Sequence, residues 1–171
     1  MVATPAPFDR AALEALYTRL ERPLYNVVYR RLWHREDAMD VVQETFVRLW
    51  RARGRVRVET VESMTWRIAL NLASNRRRSR RLWGWVPFVV ERDERGSGPS
   101  AEAALATAQR EAAVRRAVDE LPEKLRDVML LCEFSGLSHG EVAATLDIPV
   151  GTVASRRHLA AARLRGELEG A

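Results

Sequence analysis

The sequence is poor in cysteine and in lysine. Its one cysteine, Cys132, has no partner for an intramolecular disulfide and cannot form a cysteine-cluster metal site. Since it lies in the apolar run VMLLCEF, we interpret it as a small buried thiol. Lys124 is the one lysine among 28 lysine and arginine residues, so nearly all of the positive charge comes from arginine. Arginine suits phosphate recognition, although genome composition can produce the same bias.

Long apolar runs and the common ligand motifs are missing as well. No stretch approaches the roughly 20 apolar residues that span a bilayer, and the N-terminus shows no signal-peptide pattern, so we expect a cytoplasmic protein without membrane insertion. His34, His139 and His158 lack metal-ligand spacing, and neither a glycine-rich phosphate loop nor a G-x-S-x-G motif occurs. The sequence therefore nominates no catalytic residue, no metal site and no cofactor.

What the sequence does contain is helical periodicity and basic charge. Its 171 residues carry a net charge of +5, which is compatible with a polyanionic partner. Between two helical stretches lies a segment that is rich in charge, glycine and proline, which is typical of a linker. We predict an all-α protein of two small helical domains, residues 1–82 and 105–171, joined by a flexible linker over 83–104. The C-terminal domain is expected to be a helix-turn-helix.

The N-terminal domain is predicted to begin with two amphipathic helices. Apolar residues recur at threes and fours over residues 9–33, with a kink or a break expected at Pro23. The same periodicity predicts a second helix over 36–53, with Gly54 as its stop. The alternating segment 55–62 has no partner strand in sight. We interpret it as a loop or a short irregular segment.

A third helix, predicted over residues 63–81 with Ser63 as its N-cap, separates apolar from polar side chains. Its apolar face is predicted to consist of Met64, Ile68, Ala69, Leu72 and Ala73, with Trp66 and Leu70 at the far edge. The opposite face contains Arg67, Asn71, Ser74, Asn75 and Arg78, and the helix ends in an arginine run. Asparagine pairs with base edges and arginine neutralises phosphates, so this helix is a candidate nucleic-acid surface. A solvated charged face is the alternative.

The C-terminal domain carries a second, independent signal of DNA binding. Helices are predicted over 101–120 and from Pro122 to about 134. Ser138 and Glu141 have capping-box spacing and open a short helix, a turn follows at 147–149, and a last helix begins near 150. This order is a helix-turn-helix, which also occurs in proteins that never touch DNA. The outward side of the last helix is predicted to carry Thr152, Ser155, Arg156, Leu159 and Arg163, with His158 on its flank.

Three segments resemble the extracytoplasmic-function (ECF) group of bacterial RNA polymerase sigma factors. EDAMDVVQETFVRLWRA is similar to region 2 of that group, and TWRIALNLASNRRRSRR is similar to the promoter-reading end of the same region. LPEKLRDVMLLCEFSGLSHGEVAATLDIPVGTVASRRH resembles region 4, which ends in a helix-turn-helix. Their order and spacing also match, and the resemblance covers most of the chain.

The resemblance implies a role for each matching residue. The acidic second helix would dock on the clamp helices of the polymerase β′ subunit, and the loop at 55–64 would help to capture a flipped base of the −10 element. The polymerase-binding residues would be Asp40, Gln43, Glu44, Val47 and Arg48. The −10 residues would be Trp66, Arg67, Asn71, Asn75, Arg76, Arg77, Arg78 and Arg80.

The resemblance also implies a −35 surface, although this chain departs from the family pattern there. The −35 residues would be Ser138, Thr152, Ser155, Arg156, Arg157, His158, Leu159 and Arg163. Ala154, Leu159 and Ala161 stand where basic residues are common, which leaves fewer phosphate contacts and puts the −35 sequence in doubt. Asn75 stands where many members have aspartate. Arg157 occupies a position that is often apolar and inward-facing, so it either extends its charge to the surface or adds a base contact.

The leading hypothesis is a promoter-specificity subunit without catalysis of its own. Its expected partners are bacterial core RNA polymerase, through the β′ clamp helices and the β flap, and promoter DNA, with a cognate anti-sigma factor as a further candidate. A free-standing helix-turn-helix regulator is the alternative, and a protein-interaction module that binds no DNA is a third. The helix at 40–50 separates the first two, because a simple regulator does not need it.

Overall fold

The computed structural model describes residues 8–82 and 101–169, apart from the side chains of residues 81, 82 and 101–104. The all-α prediction is confirmed, since every described regular element is helical. The predicted linker lies outside the described residues except for 101–104, which already belong to a helix. The α-helices are α1 (Arg10–Leu32), α2 (Arg35–Arg51), α3 (Val61–Leu82), α4 (Ala101–Glu120), α5 (Glu123–Phe134), α6 (His139–Leu146) and α7 (Val150–Glu169).

Helix α1 runs without interruption through Pro23, so the break considered for that position does not occur. Asp9 caps its N-terminus by accepting a hydrogen bond from the backbone N–H of Ala12 at 2.9 Å. Apolar side chains on both sides of the proline, including Leu20 and Leu24, are buried and hold the helix against the core. Tertiary packing therefore outweighs the local cost of the proline.

The connection from α2 to α3 is irregular, as predicted. Helix α2 ends at Arg51, two residues before its predicted end, and two 3-10 turns follow at Arg53–Arg55 and Val58–Thr60. Helix α3 begins at Val61, so the prediction that Ser63 is its N-cap is wrong. The Ser63 hydroxyl instead donates to the Thr60 carbonyl at 3.0 Å.

The buried face of α3 differs from the predicted one. Trp66 and Leu70, which were expected at the edge, are 0% and 5% exposed and lie in the centre of the packing. Met64, Ile68 and Leu72, which were expected on the apolar face, are only half-buried against the same core. The helix is thus rotated from the orientation that its apolar stripe alone suggested. The most deeply buried apolar side chains of α3 are Trp66, Ala69, Leu70 and Ala73.

Helices α4 to α7 form the predicted C-terminal arrangement. Both hydrogen bonds of the capping box at Ser138 and Glu141 are present. Asp147 adopts the left-handed conformation at φ 54°, which ends α6 and turns the chain towards α7. Val153 and Ala160 of α7 are fully buried. The helix-turn-helix is therefore confirmed.

Arg126 connects α5 to the end of α4. Its side chain is 4% exposed and donates to the carbonyl oxygens of Val118 at 2.8 Å and Leu121 at 2.6 Å, and also to that of Asp119. These carbonyls lie where α4 ends, and the carbonyl of Val118 also accepts from the backbone N–H of Leu121 at 3.3 Å. One buried guanidinium thus satisfies three acceptors and fixes the angle between two helices.

Candidate polymerase and nucleic-acid interface

The outer face of α2 is acidic and partly apolar. Asp40 and Gln43 are exposed, while Val41, Val42 and Phe46 on the other side are buried in the core. Glu44 accepts a hydrogen bond from Arg48 at 2.7 Å, and this bond lowers the pKa of the Glu44 carboxyl. Since the predicted polymerase-binding side chains lie on the solvent side of α2, they are available to a partner.

Met39 was missed by the sequence reasoning. Its side chain is 47% exposed, and Val47, two helical turns further on, is 40% exposed. With Gln43 between them, these residues form a stripe next to Asp40 and Glu44. The sequence does contain a signal for Met39. It is an apolar residue that does not lie on the helical face shared by the buried residues of α2. An acidic rim beside exposed apolar side chains is a composition suited to protein binding.

The polar face of α3 is exposed along its length. Arg67, Asn71, Asn75 and Arg78 are all exposed, and their spacing places them within about a quarter turn of one another. Ala69 and Ala73 on the opposite side are fully buried, which fixes the direction of the polar face. The structure therefore brings these four predicted −10 residues together on one surface.

Trp66 does not belong to that surface. Its side chain is 0% exposed and packs in the core with Ala69 and Leu70. The predicted contact between Trp66 and DNA is incompatible with this structure, because a large aromatic ring at this position is required to fill the core. Its role in the structure is packing.

The arginine run at the end of α3 divides between two sides of the helix. Arg76 lies half a turn away from Arg67 and binds Asp40 of α2 at 3.2 Å. Arg80 binds Asp37 of α2 at 2.5 Å, and Asp37 also lies 3.7 Å from Arg76. Arg76 and Arg80 thus connect the two helices, whereas Arg78 stays on the exposed polar face.

The recognition helix α7 presents most of its predicted −35 residues to solvent. Ser155, His158, Leu159 and Arg163 are exposed, and Thr152 and Arg156 are half-buried. These six side chains form a mixed polar surface with one exposed apolar side chain, Leu159, at 47%. A surface of this kind can contact both phosphates and base edges in a groove.

Two other predicted −35 residues have partners within the C-terminal helices. Ser138 accepts a hydrogen bond from the N–H of Glu141 at 3.3 Å and donates to its carboxylate at 2.7 Å, which lowers the pKa of Glu141. Arg157 lies at the surface and binds Glu133 of α5 at 2.9 Å. Arg157 therefore extends its charge to the surface, which is the first of the two interpretations given for it above.

Neither a metal centre nor a membrane span is found in the described parts of the chain. Within residues 8–82 and 101–169, no group of three or more histidine, cysteine, aspartate or glutamate side chains has an arrangement that could hold a metal ion. None of the helices in these ranges combines the length and the apolar character that a bilayer span requires.

Two family models match the chain, one in each half. "Sigma-70 region 2" matches residues 16–82 and "Sigma-70, region 4" matches residues 111–164. The chain is 33% identical to the RNA polymerase sigma-H factor of Pseudomonas aeruginosa in an alignment over 161 residues, with coverage of 86% of this chain and 81% of that protein. It is 34% identical to the ECF RNA polymerase sigma-E factor of Escherichia coli over 158 residues, with coverage of 86% and 82%.

A third relative is longer than the matched segment. The ECF RNA polymerase sigma factor SigE of Mycolicibacterium smegmatis is 34% identical over 147 residues, which are 85% of this chain but only 57% of that protein. Among solved structures, CnrH in complex with the cytosolic domain of CnrY has a TM-score of 0.69 and 25% identity. That match covers 95% of this chain and 90% of CnrH.

A second solved structure supports the fold alone, at 19% identity. It is the sigma factor RpoE in complex with the anti-sigma factor NepR from Bartonella quintana, with a TM-score of 0.67 and coverage of 94% and 98%. Two matched sigma regions in the right order, together with two relatives above 30% identity that are covered over more than four-fifths of their length, define the class. The chain belongs to the sigma-70 family of bacterial RNA polymerase sigma factors and, within it, to the ECF group.

Proposed function

We propose that this chain binds core RNA polymerase through α2 and directs it to promoters by reading the −10 element with α3 and the −35 element with α7. The observation that carries the proposal is the outward placement of three separate polar faces on helices whose opposite faces are buried. The chain itself performs no catalysis in this role, and it acts in the bacterial cytoplasm, where polymerase and chromosome meet.

At the −10 element, the polar face of α3 is suited to one exposed base and its flanking backbone. Asn71 and Asn75 each offer a donor and an acceptor to a base edge, and Arg67 and Arg78 lie beside them to neutralise phosphates. Unstacking a base costs a few kcal/mol, which contacts with the extruded edge offset. The turns between α2 and α3, at residues 53–60, are mostly exposed and supply a wall for such a pocket.

At the −35 element, α7 is suited to the major groove of duplex DNA. Ser155, Arg156 and His158 provide donors near the N-terminal half of the helix, which is the part that enters the groove in helix-turn-helix proteins. Arg156 is able to form a bidentate contact with guanine, or to bind a phosphate. Leu159 offers apolar contact to a thymine methyl group.

The presence of region 2 argues against the free-standing regulator. Such a regulator needs a helix-turn-helix, but it has no use for the acidic and apolar outer face of α2. Co-elution of the chain with core polymerase, followed by run-off transcription, tests the choice directly. Binding to promoter DNA without any association with polymerase would favour the regulator.

An anti-sigma factor is a further proposed partner. The two solved structures named above are both complexes, one with the cytosolic domain of CnrY and one with an anti-sigma factor. The exposed Met39 and Val47 on α2 offer apolar contacts for such a protein as well as for polymerase. A partner on this face would therefore compete with polymerase.

Reversing Asp40 and Glu44 together is expected to weaken polymerase binding without loss of helix. Both side chains lie on the exposed face of α2, so Asp40→Arg with Glu44→Arg replaces attraction to a basic partner by repulsion. The cost in folding is expected to be small, because the ion pairs with Arg76 and Arg48 are at the surface and screened by solvent. The measurement is the dissociation constant for core polymerase, with circular dichroism to monitor helix content.

Glu14→Arg provides a control with a single charge reversal at a comparable exposed ion pair. Glu14 forms an exposed pair with Arg10 one turn away on α1, as Glu44 does with Arg48 on α2. The control should bind polymerase like the wild type. Unchanged affinity in the α2 double variant would rule out this face as the polymerase site.

The two DNA surfaces are expected to fail in different ways. Asn71→Ala should impair promoter opening more than it impairs the initial closed complex, because its contact forms only with an extruded base. Arg156→Ala should weaken binding to duplex −35 DNA by about 1–3 kcal/mol and spare transcription from a template that is already melted at −10. Both variants are measured on duplex and pre-melted promoters with the reconstituted polymerase.

Arg165→Ala is the control for the recognition helix. Arg165 is exposed on the side of α7 opposite Arg156, since nine residues correspond to two and a half turns. Its removal should leave −35 affinity nearly unchanged. If Arg156→Ala and Arg165→Ala lose the same −35 affinity, Arg156 contributes only general charge. For α3, normal promoter opening by Asn71→Ala would show that this asparagine has no part in base capture.

A further inference from the structure

Asp37 of α2 lies against the arginine run that ends α3. The residue is buried, although it belongs to the first turn of a helix at the surface. Its backbone N–H donates to the Nδ1 atom of His34 at 3.2 Å, and this bond fixes the start of α2. A buried carboxylate requires positively charged partners, and α3 supplies them.

The partners of Asp37 are two arginines of that run. Arg80 binds it at 2.5 Å, and Arg76 lies 3.7 Å away. The pair of Arg80 and Asp37 is shielded from water, since the two side chains are 19% and 12% exposed. Arg76 divides its charge between Asp37 and the exposed Asp40, which it contacts at 3.2 Å. Carboxylates of α2 therefore offset the charge of both arginines.

The two arginines lie on the α2 side of α3, away from the surface proposed for the −10 element. Arg80 follows Asn71 by nine residues, which is two and a half turns, so it leaves α3 on the opposite side. Arg77 is directed to α4, where it donates to the carbonyl of Asp119 at 3.1 Å. Arg78, by contrast, is exposed on the same side as Asn71.

This arrangement affects where a DNA strand binds on α3. Without the carboxylates, the end of the helix would attract phosphates on the α2 side as strongly as on the polar face. A strand bound on the α2 side would satisfy the arginines, but its bases would lie away from Asn71. To recruit Arg80 in the wild type, a phosphate has to break a shielded ion pair, which is unfavourable. It also meets the exposed negative charge of Asp40.

We propose that Asp37 is a specificity-determining residue of the −10 surface. By holding Arg80 and Arg76 on the α2 side of α3, it removes a competing site for DNA phosphates and leaves the polar face as the path of the strand. Asp37 acts through the arginines, so it is a positioning residue. The effect on promoter choice rests on the proposed function, whereas the restraint of the arginines is measured with the free chain.

Asp37→Asn tests the restraint, because it removes the charge and keeps the shape of the side chain. The free full-length variant should bind a single-stranded DNA of mixed sequence with a steeper dependence on salt. Each additional phosphate contact adds about 0.7 to the slope of log affinity against log salt concentration. With one arginine released, the loss of affinity between about 50 and 200 mM salt should be about 2.6-fold larger than in the wild type.

Glu36→Gln is the matched control. It removes one negative charge from the same turn of α2, so it changes the net charge as Asp37→Asn does. Glu36 is exposed, and within the described residues it forms no ion pair. Its slope should equal that of the wild type, because the slope reports phosphate contacts. A folded Asp37→Asn with the same slope as Glu36→Gln would overturn the restraint.

Arg80→Gln completes a double-mutant cycle. By itself it should leave the slope unchanged, because Arg80 is held away from DNA in the wild type. Combined with Asp37→Asn, it should cancel the increase that Asp37→Asn causes. Circular dichroism monitors the helix content of every variant. A shallower slope for Arg80→Gln alone would show that Arg80 already binds phosphate and would overturn the proposal, even if Asp37→Asn does not fold.

Reconstituted polymerase separates this inference from the proposed function. The Asp37→Asn holoenzyme should gain affinity for unrelated DNA without an equal gain at a promoter that it transcribes, so the ratio of the two affinities should fall. If the slopes change as expected but no variant associates with polymerase, the restraint stands and the sigma role fails. If every variant associates and transcribes with an unchanged affinity ratio, the sigma role stands and Asp37 does not determine specificity.

Discussion

Replacing Trp66 by alanine is expected to lower the free energy of unfolding by about 3–5 kcal/mol. Trp66 is the largest fully buried side chain in the described parts of the chain, so its removal leaves a cavity in the core at α3. Polymerase and promoter binding should fall in parallel, because the proposed surfaces of α2 and α3 depend on that packing. Urea unfolding followed by circular dichroism measures the change.

Trp66→Phe separates packing from DNA contact. Among the described residues, the indole N–H of Trp66 has no hydrogen-bond partner, so phenylalanine keeps most of the ring contacts and loses no bond. We expect a cost smaller than that of the alanine variant, because a smaller cavity remains, and normal promoter opening. If Trp66→Phe folds with full stability but cannot open promoters, then Trp66 contacts DNA and its buried position is not the active one.

Replacing Arg126 by methionine is expected to lower the free energy of unfolding by about 3 kcal/mol or more. Methionine fills much of the same volume but leaves the carbonyls of Val118, Asp119 and Leu121 without their buried donor. The angle between α4 and α5 should loosen, and −35 binding should weaken because α7 packs against both helices. Thermal unfolding and binding to duplex −35 DNA measure the two effects.

Arg116→Met is the corresponding control on α4. Arg116 is exposed, so its replacement should change stability by no more than about 0.5 kcal/mol. A similar small change for Arg126→Met would mean that the carbonyls find other partners and that Arg126 does not determine the helix angle.

The sequence by itself determined the helices and the turn of the helix-turn-helix. These features depend on neighbouring residues, such as the capping box of Ser138 and Glu141 and the spacing of buried Val153 and Ala160. It also determined the polar face of α3, because Arg67, Asn71, Asn75 and Arg78 share one side of any helix that they form. The family resemblance then supplied the roles that spacing could not.

Only the tertiary structure decided which side of α3 faces the core. The apolar residues of α3 cover more than one possible face, and packing against α1 and α2 selects the side with Trp66 and Ala73 over the side with Met64 and Ile68. Helical periodicity shows which residues share a face of the helix. It carries no information on the shape of the neighbouring helices, which decides the face that packs against them.

The pairing of the arginines was likewise decided by the tertiary structure. In the sequence Arg76 and Arg80 belong to one cationic run, yet in the structure they bind acidic residues of α2. Arg31 binds Glu123, which lies 92 residues further along the chain. A sequence shows how many charges of each sign are present and on which face each one lies. Which charges meet depends on contacts between distant segments, and these exist only once the apolar core has brought the helices together.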